Sequence, residues 1–174
     1  MQQDPAQIIK DKRLLALYRY WASKRGDRTM PARADIDPTE IPALLPIIVL
    51  IDIVGIGDYR YRLAGTEIVR NFGRDMTGKT FAEVLPGGAY AEYITGLVND
   101  VVSTGRALYS EGAFTAEGHI DRQVRRLALP LSADGRVVDM LLVGQTVIVT
   151  SKAALGGGIA ADLLFSEGTR VFLT

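Results

Sequence analysis

The chain has 174 residues, 48% of them apolar and 23% charged, a composition that suits one globular domain with a substantial core. Its 20 basic and 20 acidic side chains balance, which leaves no net charge to attract nucleic acid or an anionic membrane. The sequence contains no cysteine, so a disulfide framework, a thiolate nucleophile and a cysteine metal site are excluded.

The N-terminal region predicts one amphipathic helix over about 5–25, which we take as a separate segment spanning residues 1–28. Asp4 followed by Pro5 is a helix-start signal, and Gly26 ends the helix. The region has no apolar core before a small-residue cleavage site and is therefore not a secretion signal. Its apolar stripe follows helical spacing and consists of Leu14, Leu17, Tyr18 and Trp21.

The rest of the chain predicts short helices and strands in a definite order. A short helix at 38–45 lies between prolines, like a strap over a core. Two strands then form a hairpin, at 47–55 and 58–65. Three helices follow, at 66–72, 80–85 and 89–104. Three further strands are predicted at 106–116, 122–132 and 136–149, and an Asp-Gly turn joins the last two.

This order predicts a main domain at 29–150, built as an antiparallel sheet with helices on one face. A tail at 151–174 has no confident structural prediction, because three successive glycines weaken any continuous helix. The longest apolar run, at 41–51, is broken by Pro42 and Pro46 and is well short of the ~20 residues that cross a bilayer. We therefore predict a cytoplasmic protein without a membrane partner.

Residues 73–80, GRDMTGKT, match the P-loop pattern of nucleotide hydrolases letter for letter. A working P-loop needs a strand before the glycine turn and a long helix that begins at the Gly-Lys pair. Here a helical segment precedes Gly73, and Thr80 begins a capping box with Glu83 that leaves Lys79 outside the next helix. We therefore predict a turn between two short helices, and a nucleotide-binding enzyme is the weakest functional alternative.

The order of two strands, three helices and three strands resembles the PAS fold. Two segments carry the resemblance together, YWASKRGDRTMPARADIDPTEIPALLP at 20–46 and YRLAGTEIVRNFGRDMTGKTFAEV at 61–84. They are similar to a PAS subfamily found in alphaproteobacterial proteins, and the likeness covers about 15–150. It implies an α+β fold with a five-stranded antiparallel sheet, short helices that wrap a ligand cavity on one face, and an N-terminal flanking helix.

The resemblance also implies ligand contacts. In PAS domains a Gln after a Gly on the last strand often faces the cavity, and Gln145 in LLVGQTV has that position. Arg62 and Arg126 lie on predicted strands and could clamp a carboxylate if they point inward, although alternation with apolar neighbours favours an outward, solvated guanidinium. The aromatic candidates for the pocket, for which core packing is the alternative, are Phe72, Phe81 and Tyr93.

Cofactor and catalytic chemistry find little support in the residues. Haem binding in this fold needs an axial ligand in the helical segment, but the only histidine, His119, falls in a predicted turn. A covalent flavin adduct needs a cysteine. His119 also has no His or Cys companion to hold a metal and no serine elbow nearby for a hydrolytic triad. We predict no catalytic residues and no metal site, and the identity of any cofactor is left open.

We therefore expect a non-enzymatic sensory or signalling module that binds a small molecule, a protein partner or both, and signals by a conformational shift. The few residues after 150 imply that the output belongs to a separate protein. The alternative is a structural interaction module with a filled core and no ligand. The stripe on the N-terminal helix can be buried on the chain's own sheet or against a second copy. We expect a homodimer in which this helix lies partly on the sheet edge and partly across the interface.

Overall fold

The computed structural model describes residues 4–85, 87–116, 119–149 and 164–173. Its helices are α1 Pro5–Ile8, α2 Lys12–Arg25, α3 Thr66–Phe72, α4 Phe81–Val84 and α5 Gly88–Thr104. Its strands are β1 Ile48–Gly55, β2 Asp58–Ala64, β3 Leu108–Ala116, β4 His119–Leu131, β5 Met140–Val149 and β6 Leu164–Phe172. No helix in these ranges is long and apolar enough to cross a membrane.

The predicted helix over 5–25 is wrong as one element, because it is two helices. Asp4 caps α1 by accepting a hydrogen bond from the Ala6 N–H, and the chain is extended again at Ile9. Asp11 then caps α2 by accepting hydrogen bonds from the N–H groups of Arg13 and Leu14 in the first turn of that helix. A second capping aspartate therefore starts a new helix inside the periodic run.

The short helix predicted over 38–45 is not one continuous helix in the structure. The strap consists of single-turn 3₁₀ helices at Arg33–Asp35, Pro38–Glu40 and Leu45–Ile47. Pro42 and Pro46 supply no N–H donors and restrict the residues before them, so a continuous α-helix cannot form. The strap still covers the core, because Ile36, Ile41, Leu44 and Ile47 are buried.

The sheet is antiparallel in the order β2-β1-β5-β4-β3-β6. The α+β fold class and the hairpin of β1 and β2 are confirmed, and the sheet has six strands rather than five. The additional strand, β6, comes from the predicted tail and pairs with β3, with Arg170 opposite Ser110. β4 begins at His119, so the prediction that this residue lies in a turn is wrong. Residues 151–163 of the tail lie outside the described ranges.

Helices cover both faces of the sheet. Side chains alternate along a strand, so Val143 and Gln145 face one side and Gly144 faces the other. α2 packs directly on Gly144, because a Cβ built at Gly144 would lie 2.7 Å from Cδ2 of both Leu14 and Leu17. The face that holds Val143 and Gln145 lies under α3 and α5 and encloses a cavity with them. We call these the α2 face and the cavity face.

Candidate functional site

The cavity has a volume of about 50 Å³ and lies inside the hydrophobic core. The five strands from β1 to β5 contribute its floor, and α3 and α5 close it from above. Most of its lining is aliphatic, from residues such as Val49, Ile51, Ile94, Leu97 and Leu108. The side chains that bring polar atoms are Tyr61, Tyr90, Ser110, Arg126 and Gln145.

Strand register brings three of these polar residues into one row. Arg126 on β4 lies opposite Gln145 on β5 and opposite Ser110 on β3. Because directly paired residues point to the same face of a sheet, all three side chains reach the cavity face. The row therefore follows from the hydrogen-bonding pattern of the sheet and does not depend on a loop.

Arg126 is buried, with only 5% of its surface exposed. Its Nε donates to Gln145 Oε1 at 2.8 Å, and its Nη2 donates to the Tyr90 hydroxyl at 2.9 Å. Its guanidinium carbon lies 5.6 Å from the ring centres of both Tyr90 and Tyr93. The third nitrogen, Nη1, is buried without a hydrogen-bond partner. The guanidinium group is thus held in place on two sides and has a free donor on the third.

The charge of Arg126 has no counter-ion within the described ranges. None of the ion pairs found there includes it, and no Asp or Glu lines the cavity. Burial raises the pKa of Tyr90, although the nearby Arg126 lowers it in part, and burial also raises the pKa of Tyr61. Both phenols are therefore neutral near pH 7 and supply no negative charge.

The burial of Arg126 without a counter-ion among the described residues carries an energetic cost. Taking an ion out of water costs on the order of several kcal/mol even after relaxation. Each cation–π contact with a tyrosine ring returns about 0.5–2 kcal/mol. Each hydrogen bond donated by the charged guanidinium returns about 1.5–3 kcal/mol. These contacts offset part of the cost, and the unbonded Nη1 adds to it. An anion beside Nη1 would supply the missing interaction.

An aromatic cluster connects the cavity with the edge strand β6. Phe165 on β6 packs against Tyr90, Tyr93 and Phe114, with ring centres 5.3, 4.4 and 5.2 Å away. The Tyr93 hydroxyl donates to Ser110 Oγ at 2.9 Å. Arg170 on β6 pairs with Asp100 on α5 at 2.6 Å. The residues that surround the Arg126 guanidinium are therefore in direct contact with β6.

The structure places some of the predicted ligand-contact residues in the lining of the cavity and others away from it. Gln145 and Phe72 line the cavity, and Arg126 does so with the inward orientation that alternation disfavoured. Arg62 points outward, with a side chain 59% exposed and Asp52 at 3.5 Å. Phe81 stacks on Tyr61, 4.7 Å between ring centres, and does not line the cavity. Tyr93 contacts Arg126 and Ser110 from behind the lining. Whether any of these residues contacts a ligand stays a prediction.

Sequence reasoning misjudged Arg126 for a physical reason and missed Tyr90 and Ser110. Leu127, the neighbour of Arg126, is fully buried on the α2 face. Alternation indicates a solvated side only when the second face of a sheet is open to water. Ser110 could have been found by pairing β3 with β4 around Arg126, which requires the register of the two strands.

The predicted interface stripe is mostly buried inside the chain. Leu14 and Leu17 are fully buried, Trp21 is buried, and Tyr18 is half-buried. The Trp21 indole N–H donates to the Pro130 carbonyl of β4 at 2.9 Å. The structure therefore has the first of the two burial modes considered for the stripe, in which it packs on the chain's own sheet. The homodimer stays a prediction, and its contact surface would need other side chains.

The P-loop-like segment has the geometry of a turn and a helix cap. Gly78 has φ +82°, and its N–H donates to the Tyr61 carbonyl at 2.6 Å. The Lys79 N–H donates to the Met76 carbonyl at 3.0 Å, and Thr80 and Glu83 form the predicted capping box. The N–H groups that a P-loop would direct at a phosphate are thus used within the chain. The helix that follows, α4, has four residues.

Comparison with known proteins places this architecture in a family. A family model described as a PAS domain matches residues 9–144, which is well over half of the chain. Among solved structures, the PAS domain of BvgS from Bordetella pertussis is 22% identical, with a TM-score of 0.49. The match covers 67% of this chain and 86% of that chain. A comparison with curated proteins finds no match.

Proposed function

The chain belongs to the PAS domain family, and we propose that it is a non-enzymatic sensory module that binds a small molecule in its cavity. Occupancy of the cavity shifts the equilibrium between two arrangements of α5 and β6, and a separate protein reads this shift. The paired segments at 20–46 and 61–84 support a place in the alphaproteobacterial subfamily of these domains. The proposed location of this module is the cytoplasm.

One observation carries the proposal: a buried arginine with an unbonded nitrogen lines a cavity in the middle of the core. A core that serves packing alone is more stable with an apolar side chain at such a position. Arg126 is held towards the cavity by Gln145 and Tyr90, so its orientation is fixed before anything binds. Such preorganisation is what a binding site requires.

The contacts of Tyr90 and Tyr93 supply a route from the cavity to the surface. A ligand that draws the guanidinium towards itself changes the contacts that both rings make with it. Both rings also pack on Phe165, so the change reaches β6 directly. Gly87 and Gly88 precede Tyr90 with positive φ values of 61° and 72°, conformations that glycine adopts without strain. They allow the start of α5 to move as a hinge.

Native mass spectrometry of the protein purified from its own host tests this function. We expect the wild-type protein to carry a small-molecule adduct that is released on unfolding. The matched control is Ala128→Val, which adds two carbons to a cavity-lining strand residue and keeps Arg126. The variant should fold, as judged by its melting curve, and should lack the adduct. An adduct that persists equally in Ala128→Val would place the binding elsewhere and contradict the proposal.

The small volume of the cavity favours a second candidate function, a structural interaction module with a filled core. A volume of about 50 Å³ is far below that of an ordinary small-molecule site, which is roughly 300–1,000 Å³. In that case both the wild-type protein and Ala128→Val have the mass of the bare chain, and filling the cavity raises the melting temperature.

A further inference from the structure

We infer that the ligand of the cavity is a short-chain monocarboxylate of two to four carbons, whose carboxylate binds the free Nη1 side of Arg126. This inference rests on the proposed function and names the chemical class that the site would take. Three features of the cavity carry it: its uncompensated charge, the arrangement of its polar and apolar walls, and its size.

The charge requires an anion. Arg126 is 5% exposed and has no carboxylate partner in the described part of the chain, and its Nη1 is buried without a hydrogen-bond partner. A neutral ligand would satisfy Nη1 as a donor and would leave the charge uncompensated. A carboxylate accepts hydrogen bonds from Nη1 and also compensates the charge, because its two oxygens match the geometry of a guanidinium group.

The distribution of polar atoms requires a ligand with one charged end. The polar groups lie in the row Ser110, Arg126 and Gln145 on the sheet, with Tyr90 above it. The other walls are aliphatic, from residues such as Val49, Ile94 and Leu108. A chloride or phosphate ion would leave the apolar walls without a partner. Within this cavity a second carboxylate would meet those same apolar walls, because Arg126 is the only charged residue in its lining.

The size limits the length of the chain. The cavity volume of about 50 Å³ gives room for roughly four water-sized groups, at about 10–15 Å³ for each. Acetate has four non-hydrogen atoms, and propionate and butyrate have one and two more. A second, smaller cavity of about 10 Å³ shares Phe72, Tyr90, Arg126 and Gln145 with the first, and Arg122 also lines it. The longer of these acids would extend towards this smaller cavity. Longer or branched acids need a rearrangement of the core.

The test compares carboxylates with their neutral isosteres on the wild-type protein. Acetate, propionate and butyrate are titrated by calorimetry beside acetamide and propionamide, at constant ionic strength, with chloride and phosphate as inorganic anions. We expect a carboxylate to bind about tenfold to a hundredfold more tightly than its amide, which is the usual value of a hydrogen-bonded charge. Equal affinity of acid and amide, or of propionate and chloride, would overturn the inference.

Two arginine variants locate the binding. Arg126→Gln should weaken propionate binding by the same factor, about tenfold to a hundredfold. Arg62→Gln is the matched control, because it removes an exposed strand arginine that points away from the cavity, and it should bind propionate like the wild type. If Arg126→Gln does not fold, the comparison of acid with amide on the wild-type protein still decides the matter. Equal loss in both arginine variants would contradict the assignment.

The results also separate this inference from the proposed function. A host-derived adduct that depends on the cavity but proves neutral would refute the monocarboxylate and leave the sensory module intact. The absence of any adduct, together with the absence of carboxylate binding, would refute both. Binding of propionate that is lost in both Arg126→Gln and Ala128→Val would support both.

Discussion

Replacing Leu17 by Ala tests whether α2 is part of the folded core or a surface for a second copy. Leu17 is fully buried, and its Cδ2 lies directly over Gly144, which has no side chain to move into a gap. Leu→Ala substitutions at buried sites cost about 2.7–5 kcal/mol, with the larger values where the site cannot collapse. We therefore expect a loss of about 4 kcal/mol. For a chain of this length the melting temperature should fall by about 8–16 °C.

The assay is thermal unfolding followed by circular dichroism at two protein concentrations that differ by roughly a hundredfold. The control is Val137→Ala, which truncates a side chain that is 65% exposed and should change stability by less than about 0.5 kcal/mol. Gly144→Ala should also lower the melting temperature, because its Cβ would lie 2.7 Å from Cδ2 of both Leu14 and Leu17. A melting temperature that hardly changes on substitution, or a loss relative to the wild type that differs strongly between the two concentrations, would refute intramolecular packing of the stripe.

Further predictions concern caps, glycines and pH. Thr80→Ala should cost about 1 kcal/mol in denaturant unfolding by removing an N-cap, whereas Lys79→Ala should change neither stability nor calorimetric response to ATP. Gly65→Ala should cost about 3 kcal/mol, because its Cβ would lie 2.3–2.7 Å from strap backbone atoms, while Gly55→Ala, with open space around it, should cost far less. Backbone N–H groups lower the pKa of Asp134 from 3.8 to about 2, so its contribution to stability should be lost as pH falls through that window. As the pH falls from 3.8 towards 2, the melting temperature of the wild type should therefore approach that of Asp134→Asn. A difference between the two melting temperatures that stays constant with pH would contradict this role of Asp134.

Local signals predicted most of the fold. The order of strands and helices, the hairpin of β1 and β2, the capping box at Thr80 and the long helix α5 all follow from periodicity, caps and turn residues. Failures arose where a second local signal lay inside a periodic run. Asp11 starts a new helix within 5–25, and the strap prolines prevent an α-helix over 38–45. The capping residue Asp11 and the prolines Pro42 and Pro46 are visible in the sequence and indicate both interruptions.

The site was harder to predict than the fold, because it depends on which elements cover each face of the sheet. The alternation of Arg126 with Leu127 indicated an outward arginine, and α2 reverses this conclusion by burying the second face. Gln145 lines the cavity, as the PAS resemblance implied for its place on the last strand, and its contact with a ligand stays a prediction. The row of Ser110, Arg126 and Gln145 and the contact of Phe165 with Tyr90 require strand register and the position of β6, which no local pattern specifies.

Amide hydrogen exchange tests most directly whether the cavity communicates with β6. The protein carrying its host ligand is compared with the same protein after unfolding and refolding without the ligand. We expect the ligand to slow exchange at the start of α5, around Tyr90, and along β6 at Leu164–Phe172, through the contacts of Tyr90 and Tyr93 with Phe165. A ligand that binds the cavity and leaves exchange in both α5 and β6 unchanged would contradict this expectation.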